Sequence, residues 1–169
     1  MNRIVLLGMT LLLGGAVAAP AAAQDRALVI GNAGYRAAVD AVGAEAVLPG
    51  AAALGTAGFV VLDGRDLDAA AMRENRAATL RALEGAERVV IGLSGDFEHA
   101  GSDSWFVGGD GAEPDLATVG GMGLSLATVM EVAARVPGGA AILLATPTRR
   151  IDAGPGISAG IGPLDIPQG

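Results

Sequence analysis

The sequence predicts an α/β domain: a mainly parallel sheet with helices on both faces. Two observations carry that reading. Four apolar runs of strand length recur along the chain, "ALVIGN" (27–32), "GFVVLDG" (58–64), "RVVIGLSG" (88–95) and "AAILLAT" (140–146). Each is nearly continuous in apolar residues rather than alternating, which is the pattern of strands covered on both faces. Helix-like segments lie between them, and β-α-β-α alternation with short connections implies parallel strands joined by right-handed crossovers.

The helices follow from local chemistry. "LDAAAMRENRAATLRALEG" (67–85) places Leu67, Ala71, Ala78, Leu80 and Leu83 on one stripe, with Asp68 or Asp66 as its cap and Gly85 as its stop. "SLATVMEVAARV" (125–136) is capped by Ser125 and stopped by Pro137-Gly138. "AEAVLPGAAALGTA" (44–57) is a weaker candidate, because Pro49 and Gly50 interrupt it. The tail from Asp152 is rich in Gly and Pro and predicts no element. In such sheets a functional site lies at the carboxyl ends of the strands. Those ends are Gly31-Asn32, Asp63-Gly64, Ser94-Gly95-Asp96 and Thr146-Pro147.

Composition bounds the function. The 169 residues suit one domain, and 51 % hydrophobic residues suffice for a core. Aromatics are only 3 %, so that core is mostly aliphatic. A net charge of −7 with scattered Arg gives no cationic footprint, so no nucleic-acid partner is expected. The absence of cysteine removes disulfides, thiolate metal sites and thiol nucleophiles. Residues 1–23 read as a signal peptide: Arg3, the apolar "IVLLGMTLLLGGAVA", then "APAAAQ" with an A-x-A site and cleavage after Ala23. The alternative is a membrane anchor, although the apolar run is short for a span. Cleavage predicts an exported chain, periplasmic or secreted, not membrane-bound and with a net charge of −8, since the leader holds one Arg and no acid.

Several motifs resemble the caspase-like family, and most closely its bacterial metacaspase-like peptidases. "RALVIGNAGYRAA" is similar to the family's opening strand, and "LGTAGFVV" to its second helix end and strand. "LEGAERVVIGLSGDF" resembles the third strand, "DSWFVGGDGAE" the extended segment after it, and "AAILLATPTRR" the fourth strand. "GISAGIGPLDIPQG" is similar to the stretch leading into a fifth strand. The resemblance covers almost all of residues 26–169, and it implies the flavodoxin-like strand order of that family.

It also implies where catalysis would sit. Active members end the third strand Ser-Gly-His-Gly, with His as the base, and carry the Cys nucleophile after the fourth. Here Asp96 stands at the His position and Phe97 at the Gly position; Pro147 or Thr148 stands at the Cys position. A thiolate attack with His protonating the leaving amine is therefore not available. Asp96, read as an exposed carboxylate, is a poor proton donor at neutral pH. Glu45-Ala46 lies near, but displaced from, the family's Asp-Ala pair for substrate recognition.

The sequence thus predicts an exported caspase-like pseudopeptidase with no catalytic residue and a binding or regulatory role. Two other readings stay open. One is an active hydrolase using Ser94 or Thr148 with His99; the other is a plain flavodoxin-like binding domain. His99 reads as a solvated loop residue, and Ser125 as a cap rather than a nucleophile. Gly31-Asn32-Ala33-Gly34 matches neither a dinucleotide nor a Walker loop, so it reads as a tight turn and no cofactor is expected. Asp96, Glu98, Asp103, Asp110, Glu113 and Asp115 fit no EF-hand spacing; they read as a solvated acidic loop, with no metal expected. Trp105 and Phe106 are expected to pack against the sheet. Finally, the family places further strands beyond the fourth. The reading is a sheet lacking its last strands, truncated or completed by a partner or a second copy through the open edge of 140–146.

Overall fold

The computed structural model describes residues 24–36, 40–83, 85–111, 113–146 and 152–167. The leader (1–23), Pro147 and Thr148 lie outside the described residues. The elements are β1 (Gln24–Gly31), a 3-10 turn (Ala44–Val47), α1 (Leu48–Thr56), β2 (Val60–Arg65), α2 (Ala69–Leu83) and β3 (Ala86–Ser94). There follow β4 (Phe97–Ala100), β5 (Asp103–Val107), α3 (Val119–Met122), β6 (Gly123–Ser125), α4 (Leu126–Ala133), β7 (Ala140–Ala145) and β8 (Ser158–Ala159).

The four apolar runs form one parallel sheet in the order β2-β1-β3-β7. Register aligns Leu62, Leu28, Ile91 and Ile142 across it, with Ile30, Leu93 and Leu144 in the next row. These rows face α2 and α4, where Met72, Leu126, Val129 and Met130 complete the main core. The opposite face carries Val29 and Gly92, and Val47 of the 3-10 turn packs on Gly92. Helices therefore cover both faces. The chain steps from β1 out to β2, then back past β1 to β3. Right-handed crossovers in opposite directions put α1 and α2 on opposite sides. The reversal makes the carboxyl ends of β1 and β3 the switch point of the sheet.

Pro49 does not interrupt the first helical segment. It sits in the first turn of α1, where its missing N–H costs nothing, and the residues before it take the tighter 3-10 form. Asp68 caps α2, its Oδ1 accepting from Ala71 N at 2.8 Å. Ser125 caps α4 as expected, accepting from Thr128 N at 3.2 Å. Asp103 adds a second cap: its Oδ1 accepts from Ala127 N at 3.1 Å and its Oδ2 from the Ser125 hydroxyl at 2.8 Å.

The main departure from the sequence reading is a second sheet. β6, β5, β4 and β8 pair antiparallel in that order. The first half of the acidic stretch expected to be a solvated loop is in fact the β4–β5 hairpin, with Asp96 and Glu98 buried at 1 % and 0 % exposure; Asp110 and Glu113 beyond it are exposed loop residues, as expected. The strands have four and five residues, too short for a period to emerge from noise. One signal was present: Gly101-Ser102 is a two-residue hairpin connection, with Gly101 at φ 58°. The tail, expected to hold no element, supplies β8 as the outer strand beside β4. Phe106 packs as expected, in contact with Phe97 at a centroid distance of 5.2 Å.

Candidate functional site

The site is built where β1 and β3 end. The ladder continues past both strands. Asn32 N donates to Ser94 O at 2.9 Å, and Gly95 N donates to Ala145 O at 3.1 Å. Ser94 lies directly opposite Ala145 of β7. The ends of the third and fourth strands therefore adjoin, as the pairing of a base with a nucleophile would need; Pro147 and Thr148 themselves lie outside the described residues. Glu45 is close by, its Cα 3.2 Å from where a Cβ on Gly31 would stand.

Asp96 does not face solvent. It is 1 % exposed, and so is Phe97 after it. Its N–H donates to the Tyr35 hydroxyl at 2.8 Å, and its carbonyl accepts from Val107 N at 2.9 Å. Tyr35 arrives from the loop after β1 and closes over Gly95. A Cβ at Gly95 would meet both the Tyr35 hydroxyl and the Phe106 ring at 2.8 Å. Only glycine, here at φ 153°, fits under that lid. The expectation of an exposed Asp96 is thus corrected: the residue is buried, and its backbone N–H is tied to the Tyr35 hydroxyl.

Burial pushes the Tyr35 hydroxyl well above its ordinary 10.0, partly offset by the Asp96 N–H it accepts. The sign of the consequence is definite. Above pH 10.0 an unfolded chain releases this proton and the native chain keeps it, so stability falls as pH rises. Tyr35 is the sole tyrosine, so the ultraviolet absorbance change on tyrosine ionisation reports it alone. Tyrosinate absorbance should appear only together with unfolding. A smooth titration centred near pH 10.0 in the folded protein would contradict this burial.

Of the hydrolase reading, Ser94 and His99 fall in different sheets. Ser94 is 5 % exposed at the end of the first sheet. His99 is in the second sheet, half-buried on β4 rather than in a solvated loop. Its Nδ1 lies 3.1 Å from the Gly160 carbonyl, and the tail packs on its ring through Gly162. Ser125 spends its hydroxyl between Asp103 and the α4 cap.

The backbone donors that could cradle an anion are taken. Ala33 N and Gly34 N both donate to Asp66 Oδ1, each at 2.7 Å. Ala69 N, at the start of α2, donates to Asp110 Oδ1 at 2.9 Å. The tight turn expected at 31–34 is therefore a small nest filled by the chain's own carboxylate. Asp66, not needed as a helix cap, fills it from a left-handed backbone at φ 49°. Asp115 closes its own turn: Thr118, donating from both side chain and backbone, holds its carboxyl below the ordinary range. Among the described residues no three His, Cys, Asp or Glu side chains gather as a metal site, and no helix is long and apolar enough to cross a membrane.

The sequence reading placed Asn32 at a strand end and in a tight turn, and missed the role of its side chain. It is fully buried and joins three segments. Its Nδ2 donates to Val107 O at 3.1 Å and Leu67 O at 3.3 Å, and its Oδ1 accepts from Leu67 N at 2.9 Å. A polar residue directly after an apolar strand, at the switch point, was the available signal.

No protein-family model matches the chain, and no curated protein matches it.

Proposed function

We propose that the chain is an exported caspase-like pseudopeptidase that acts by binding rather than by cleavage. The observation that carries this reading is the buried Asp96. At the place where a proton-transferring base would meet substrate, the chain has an aspartate that is 1 % exposed, with its backbone N–H held by Tyr35. A general base must come within hydrogen-bond reach of the proton it moves. The adjoining ends of β3 and β7 support this reading, and the absence of cysteine removes the nucleophile that the family's reaction needs. The hydrolase reading is weaker, because Ser94 is buried and His99 bonds the tail in the other sheet. A phosphate-binding domain is weaker too, since Asp66 already holds the loop amides.

The test is turnover. Purified chain should cleave no Arg-, Lys- or Asp-directed peptide, with or without calcium. Turnover that disappears in Ser94→Ala, Thr148→Ala or His99→Ala would replace this reading with the hydrolase. Export is tested separately, by whether the chain recovered from its host begins at Gln24.

A further inference from the structure

We propose that a second copy of this chain pairs with the first, β7 to β7, antiparallel about a two-fold axis through Leu143. The inference does not depend on the pseudopeptidase reading.

β7 pairs with β3 on one side, and among the described residues no strand pairs with its other side. Exposed edges are normally blunted by charge, proline or a bulge. The sheet's other edge, β2, carries Asp63 and Arg65. β7 has none of these devices: it reads AAILLA, and its register with β3 runs without a break. Both flanks of the edge are apolar. On one face Leu143 is 57 % exposed. On the other, a groove of about 650 Å³ runs beside Ile142 and Leu144, lined by Val129, Met130, Leu164 and Ile166. The strand that fits must therefore be apolar on both of its faces and uncharged.

β7 is such a strand, and charge favours a second copy of it. The chain carries −7 overall, so most surfaces of two copies repel. Residues 136–148 contain no charged side chain at all, which makes this edge a neutral meeting line. Like edges on both partners give a closed, isologous contact rather than a growing fibre. Packing selects the register. With the axis at Leu143, that residue meets its own copy, Ile142 meets Leu144, and Ala141 meets Ala145. Every large side chain then opposes a large one, and both grooves open on the same face, where Ile142 and Leu144 of each copy close the other's. Shifting the axis to Ile142 would set Leu143 against Ala141 and leave it uncovered.

The absence of native cysteine makes the register testable. Residues directly opposite in antiparallel strands stand about 4.5–5.5 Å apart between Cα atoms, within the span of a disulfide. In this register two copies of residue 141 are about 14 Å apart, four residues along the strand. Under mild oxidation Leu143→Cys should give a disulfide-linked dimer, and Ala141→Cys should not. By sedimentation the unaltered chain should be a dimer and Leu143→Lys a monomer; the position is exposed enough for the lysine to leave the fold intact, as circular dichroism would verify. Should Leu143→Lys fail to fold, the two cysteine variants still decide. A monomeric unaltered chain, a dimer that survives in folded Leu143→Lys, or equal crosslinking at 141 and 143 would each overturn the proposal.

Discussion

Replacing Phe106 by alanine is expected to lower folding stability by about 3–5 kcal/mol, the range for truncating a fully buried phenylalanine. The side chain is 0 % exposed. It sits on the central strand pair of the second sheet, opposite Phe97 on β4 and Leu124 on β6. It shares one core with Leu28, Ile91 and Leu93 of the parallel sheet. Its ring also lies over Gly95, so its loss opens a void at the end of β3. Urea unfolding followed by the fluorescence of Trp105, the sole tryptophan, would measure the change. A loss below about 1 kcal/mol, the typical cost of an average substitution, would mean that the two sheets do not share a core.

Asn32→Ala should be nearly as damaging, by about 3 kcal/mol or more, for a different reason. The substitution removes little apolar area. It leaves the buried carbonyl of Val107 and the N–H of Leu67 without the amide that serves them. Each stranded buried group costs about 1–3 kcal/mol. Asn32→Asp should not rescue the fold. It keeps an acceptor for Leu67 N, but it loses both donors and places a charge at a fully buried position. Hydrogen exchange gives a local reading. The Leu67 amide should lose protection in both variants, and the change should extend to the β5 end at Val107. An Asn32→Ala protein of unchanged stability would show that water replaces the side chain and that the three segments do not depend on it.

What each level determined can be followed residue by residue. The four parallel strands were legible because each is a local apolar run; burial on both faces holds for the central β1 and β3, while the edge strands β2 and β7 stay partly exposed. Ser125 as a cap and Gly85 at a helix end, with φ 82°, were legible for the same reason: each acts within one turn of its own position. The missing cysteine, and with it the missing thiol, needed no structure at all. The second sheet was not legible. Its strands are short, and one of them places Glu98 where a pattern reading expects an apolar residue. The hydroxyl that meets the Asp96 N–H comes from Tyr35, 61 residues earlier in the chain, and the role of Asn32 is set by Val107, 75 residues later. Asp66 looks like a helix cap in its own neighbourhood and serves a loop 32 residues away. Local sequence records propensity and hydrophobic period. Which carboxylate meets which backbone amide, and which side chain seals the end of a strand, depends on segments brought together only when the crossovers close the sheet.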